Sequence, residues 1–113
     1  MKMPAAGKGA TERFHELVPG DTRVAVRKMF GQPAAFANGN LFFGVFGDDV
    51  FVRLSEADQK SAEKIPGVRP FEPMEGRAMR GYWVLPTPVL ASRSKADGWV
   101  AKALAYALTL PPK

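Results

Sequence analysis

The sequence predicts an α+β domain: an antiparallel sheet of about five strands, with a central meander over residues 23–54 and a further strand near 79–85, and helices near 11–18, 55–65 and 94–109. Three features point there. Asn38 and Gly39 stand between two apolar runs, and this pair most readily supplies positive φ at both central positions of a two-residue hairpin. Gly47, Asp48 and Asp49 separate Phe46 from Val50 with the spacing of a second tight antiparallel loop. From Ala96 to Leu108 apolar residues recur at i, i+3 and i+4, which describes an amphipathic helix.

Taken in order, residues 1–9 lack periodicity and are expected to form a mobile tail ahead of a single domain over 10–113. Thr11 is positioned to cap a short helix with Phe14, Leu17 and Val18 on one face, ended by Pro19 and Gly20. The strand Arg23 to Met29 alternates so that Val24 and Val26 point inward while Arg23 and Arg27 point out. In Leu41 to Phe46 both alternating sets are apolar, so both faces of that strand must be covered. Either this chain's own helices and loops supply the cover, or a second copy does, with Phe42 and Phe46 as the contact. Gly44, mid-strand, marks a bulge or a close backbone approach.

Ser55, with Asp58 three residues on, opens a thinly apolar helix bearing Ala57, Ala62 and Ile65, and Pro66 and Gly67 end it. Met79 to Leu85 reads as a strand inside a Pro- and Gly-rich stretch, with Arg80, Tyr82 and Val84 on one face. The last helix has Ser94 as its expected N-cap, and Pro111 and Pro112 stop it. Trp99 lies mid-stripe and is expected to be the main core anchor.

At 113 residues, 46% hydrophobic and 24% charged, the composition is that of a globular domain. No apolar run approaches the ~20 residues of a membrane span, and no secretory apolar core is found near the start, so a cytoplasmic location is expected. With no cysteine and one histidine, His15, thiolate chemistry and a histidine-built metal site are excluded. The chain carries Walker, HExxH or GxSxG motifs nowhere, and Asp48 and Asp49 suit a turn better than acid–base work. No catalytic residue, metal or cofactor is expected. The net charge of +5 is concentrated after Pro66, with seven basic and three acidic residues.

Arg27, Lys28, Met29, Phe30 and Gly31, then the Asn38–Gly39 hairpin, then Phe43 to Arg53 with its paired acids, resemble the N-terminal domain of the TfoX/Sxy family of competence regulators. The similarity continues through Gly67 to Phe71, through Gly76, Arg77, Met79 and Gly81, and along Trp99 to Lys113, with Gln32 where the family often has glycine. It implies an α+β fold, no catalytic residues, and a short stand-alone member of a family whose full-length proteins carry a second, helix-hairpin-helix-like domain. It also implies transcriptional regulation beside a cyclic-AMP receptor protein.

The leading expectation is therefore a non-enzymatic regulatory domain that works through a protein partner or a homodimer, without a membrane. Direct nucleic-acid binding through a basic face is the alternative, and a small-ligand binder or enzyme using a cleft between sheet and last helix is the third reading. Candidate contacts for a partner or nucleic acid are Arg27, Lys28, Arg69, Arg77, Arg80 and Tyr82, with Tyr82 as a stacking platform between cations.

Overall fold

Three tight turns lay out the first four strands in the computed structural model, which describes residues 5–113. These strands are β1 (Val24–Met29), β2 (Gln32–Ala37), β3 (Asn40–Phe46) and β4 (Asp49–Arg53). Asn38 and Gly39 adopt φ of 52° and 80°, the left-handed pair that a two-residue hairpin with the natural strand twist requires. Phe30 and Gly31, at 57° and 74°, make an equivalent turn between β1 and β2 that the sequence did not announce. Phe46 pairs with Asp49, so the third loop is Gly47 and Asp48 alone, one residue shorter than expected.

β5 (Arg69–Pro70) and β6 (Tyr82–Val84) complete a six-stranded antiparallel sheet in the order β1-β2-β3-β4-β6-β5. β6 is shorter than the expected 79–85 strand because Arg80 and Gly81 form a turn just before it, with Gly81 at φ 87°. That turn breaks the alternation. Met79 consequently packs on the same side as Tyr82 and Val84, opposite to the face assigned from the pattern.

α1 (Lys8–Leu17) begins three residues ahead of Thr11, with Gly7 as N-cap, and the Thr11 hydroxyl donates to the Gly7 carbonyl at 2.8 Å. Of the expected tail, residues 1–4 lie outside the described residues, while Lys8 and Gly9 are helical and the Gly7 N–H donates to the Gly47 carbonyl at 2.7 Å. α2 (Glu56–Ala62) is capped as expected, the Ser55 hydroxyl accepting from the Asp58 N–H at 3.2 Å; of its thin stripe, Ala62 is buried and Ala57 exposed. α3 (Thr87–Leu90) is a single unannounced turn. α4 (Arg93–Thr109) starts after Ser92 rather than Ser94, and Arg93 ties its first turn to Asp97 at 3.1 Å and to the Glu16 carbonyl at 2.8 Å. At the other end of α4 the Pro111 carbonyl accepts from Asn40 Nδ2 at 3.0 Å, and the Lys113 N–H donates to the Asn38 carbonyl at 2.8 Å.

One face of the sheet is covered by α1, α3 and α4. Phe14 of α1 stacks on Phe43 with ring centroids 4.7 Å apart, and α4 lays Ala96, Val100, Ala103 and Ala107 over β3 and β4. Small residues let the helix sit close to the strands, which leaves no room beneath it for an indole. Trp99 is therefore displaced to the flank, half-buried with Lys102 Nζ 5.7 Å from its ring centroid, and is not the expected core anchor.

The other face carries Ala34, Leu41, Phe46, Phe51, Tyr82 and Val84, and the chain's own 71–79 segment crosses it. Phe71 lies flat on Phe51, centroids 4.1 Å apart and planes 7° from parallel, and meets Phe46 edge-on at 5.4 Å. A bulge arranges β3 for this. Ala35 pairs with Phe43 but Phe36 pairs with Leu41, so Phe42 is the extra residue, and both Phe42 and Phe43 turn to the helical face. Gly44 then faces the second layer, where a Cβ would lie 2.7 Å from the Phe51 ring.

Phe42 and Phe46, expected as an exposed row for a homodimer, are thus on opposite faces and 0% and 8% exposed within one chain. The bulge reverses the parity on which that row depended, and the 71–79 segment supplies the cover. Val26 departs in the other sense: it is 49% exposed, because the helical layer packs over β2, β3 and β4 and β1 lies at the sheet edge.

Two substitutions separate the layers. Phe71→Ala should cost about 3–5 kcal/mol by opening the second face, whereas Trp99→Ala should cost about 1–2 kcal/mol. Urea denaturation of both variants checks this, and a larger loss at Trp99 than at Phe71 would contradict the assignment of the layers.

Candidate functional site

An open part of the surface is β1 with the adjoining side of α1. Every residue from Ala25 to Lys28 is exposed, and among the described residues no strand lies beside the outer edge. Between β1 and α1 runs a groove of about 530 Å³ lined by Thr11, His15, Val26, Arg27, Lys28 and Pro33. Its floor is apolar at Val26 and Pro33. Lys28 and the strand at Arg27 border it, and no carboxylate is among its described lining residues.

Arg27 points to the opposite side of the strand from Val26, and its guanidinium carbon sits 4.3 Å from the Phe36 ring centroid. That contact holds the arginine flat while leaving its edge open to solvent. Beyond the end of β1, Phe30 is 41% exposed, with its ring edge-on to Phe46 at 5.7 Å. A bulky residue at positive φ is strained, so the Met-Phe-Gly turn holds an aromatic ring at the surface against its own backbone preference.

The other candidate contacts do not gather with Arg27 and Lys28. Arg69 lies at the far edge of the sheet in β5 and forms an ion pair with Asp49 at 2.7 Å. Arg77 is exposed on the segment crossing the second face, where its backbone bridges to Met74. Arg80 lines a separate cleft with Arg53, Glu56, Gln59 and Tyr106. Tyr82 is no stacking platform: it is buried, and its hydroxyl donates to the Leu41 carbonyl at 3.0 Å. Burial pushes its phenol up from the usual 10.0, with the nearby Arg53 charge pulling the other way.

Gln32 and Arg53 went unnoticed in the sequence. Gln32, directly after the Met-Phe-Gly turn, is buried, and its side-chain oxygen accepts from the Gly47 N–H at 2.7 Å, pinning one turn to another. Only the departure from the family's usual glycine hinted at it. Arg53 lies between the rings of Tyr82 and Tyr106, 5.5 and 5.6 Å from their centroids. Among the described residues, no group of three or more His, Asp or Glu side chains is arranged to hold a metal ion, and no helix is long and apolar enough to cross a membrane.

An open antiparallel sheet with helices on one face, its own loop on the other and a basic strand at its edge defines an α+β domain of the open-sheet type. Residues 16–107 match the TfoX N-terminal domain model, and the chain belongs to that family. No curated protein sequence matches it. The family signature has structural meaning here: Phe30 and Gly31 form the first turn, Asn38 and Gly39 the second, and Phe71 and Met79 close the second face.

Because the folded Tyr82 phenol titrates above its unfolded value, its contribution to stability is complete below about pH 10 and is lost as pH rises through the folded value. Stability measured by denaturant between about pH 9 and 11 should fall less steeply in Tyr82→Phe than in the parent chain, although the variant starts lower for want of the bond to Leu41.

Proposed function

We propose that this chain is a cytoplasmic interaction domain that takes part in transcriptional regulation by docking a protein partner on β1. The observation that carries this reading is the exposed edge of β1, where apolar Val26 stands beside Arg27 and Lys28 with no neighbouring strand among the described residues. An extended segment can add to such an edge through main-chain hydrogen bonds, and its side chains then reach the groove against α1. The cations select an acidic segment. Family membership supports a regulatory role, since the resemblance implies control of transcription, and competence genes are the targets it suggests.

A direct nucleic-acid role has less support in the geometry. The candidate cations spread from one sheet edge to the other, one of them is paired with Asp49, and the stacking tyrosine is buried.

The experiment is a chromosomal replacement with Val26→Asp and, separately, Lys28→Glu. Both positions are exposed, so thermal stability should change by less than about 0.5 kcal/mol. Transcript profiles of both strains should move toward that of a full deletion. Profiles identical to the parent strain, with the variant proteins present at normal levels, would remove β1 as the docking edge.

A further inference from the structure

We infer that the cleft between the end of β4 and α4, lined by Arg53 and Arg80, is a binding site for a small phosphate monoester. It is independent of the β1 surface. The cleft measures about 330 Å³, and Arg53, Leu54, Glu56, Gln59, Arg80, Gly81 and Tyr106 form its walls. That volume is at the lower end of what small-molecule sites enclose.

The cleft is built rather than incidental. Arg53 is the last residue of β4, and the Leu54 N–H donates to the Gly81 carbonyl at 2.9 Å, locking the strand end against the Arg80–Gly81 turn. The Tyr82 and Tyr106 rings flank the guanidinium, which restricts its motion without using its N–H donors on a carboxylate. Gln59 is fixed as well: its Nε2 donates to the Leu54 carbonyl at 3.0 Å and its Oε1 accepts from the Trp83 indole at 3.1 Å.

Among the described residues Arg13, Arg23, Arg69 and Arg93 form ion pairs, whereas Arg53 and Arg80, like Arg27 and Arg77 elsewhere on the surface, do not; of these last four only Arg53 and Arg80 share a cleft. Two arginines converging on one cleft without carboxylate partners offer forked donors that match the oxygens of a phosphate group. A phosphate there would meet one guanidinium already oriented by aromatic contacts, so less freedom is lost on binding.

Glu56 narrows the ligand class. Its carboxylate shares the wall, leaving the site with two cations against one anion. That balance accepts a single phosphate but opposes a polyanionic backbone running through the cleft. Tyr106 presents part of its ring beside Arg53 and gives the organic portion of a monoester an apolar face.

Amide NMR titration of the whole chain with inorganic phosphate and with phenyl phosphate, at ionic strength matched with chloride, tests the site. Saturable shifts are expected at Arg53, Leu54, Gly81 and Tyr106, with phenyl phosphate binding tighter than phosphate. Arg80→Gln, at an exposed position, should weaken binding about tenfold or more, and Glu56→Gln should tighten it, a gain that damage to the fold would not produce. No saturable shift up to about 20 mM ligand, or binding that Arg80→Gln leaves unchanged, overturns the inference.

Discussion

The flat contact of Phe71 on Phe51 settles how a strand that is apolar on both sides lives in a chain of this size. All the long helices pack on one face, so the opposite face would remain wet without a second cover. The 71–79 segment provides it with little regular structure. It is tied down by backbone bonds from Phe71 to Tyr82 and from Met79 to Phe71, at 3.0 and 2.8 Å, and by the rings stacked beneath it. A loop held this way owes its order to the aromatic layer rather than to its own hydrogen-bond ladder. Removal of that layer would expose Phe46, Phe51 and Val84 together.

Much of the fold was legible because its turns and caps use residues with single physical roles. Asn38 and Gly39 favour positive φ, Ser55 has an oxygen for an N-terminal amide, and the α4 periodicity is sustained. The first hairpin was not legible, since phenylalanine is disfavoured at positive φ and Phe30 sits there regardless. The bulge at Phe42 was hidden for another reason: an inserted residue in an all-apolar strand leaves no break in the pattern. β5 is too short to signal itself and forms because β6, paired in turn with β4, templates it, whereas β6 was readable as a strand but over too long a span. Trp99 was misjudged because periodicity gives a direction around the helix but not the depth at which the helix packs.

For the candidate surfaces the same division holds. Arg27 and Lys28 were readable as exposed cations on a strand, but that the strand is the open edge of the sheet needed the strand order. Tyr82 was misread because the Arg80–Gly81 turn shifts the alternation that paired it with Arg80. The Arg53–Tyr106 contact joins residues of β4 and α4 and has no local sequence signal. Charged side chains on an edge strand also guard against pairing with like copies. In the docking proposed for β1, the same charges would discourage a second copy and favour an acidic segment, so protection and selectivity would share one cause.

The fastening of α4 at both ends bears on the order in which the molecule assembles. β1 to β4 are joined by two-residue loops, whose closure needs only short-range contacts on the microsecond scale of hairpins. The bonds from Asn40 to Pro111 and from Arg93 to Glu16 bridge sequence separations of 71 and 77 residues. Contacts that distant form late, after the loop-closure entropy has been overcome by other burial. The meander would therefore stand as an early, half-covered sheet, and the last helix would act as its closing bar. Until that bar docks, the layer of Phe14, Phe43 and Val45 faces water, which makes the interval before closure the one in which the chain is most prone to associate with its neighbours.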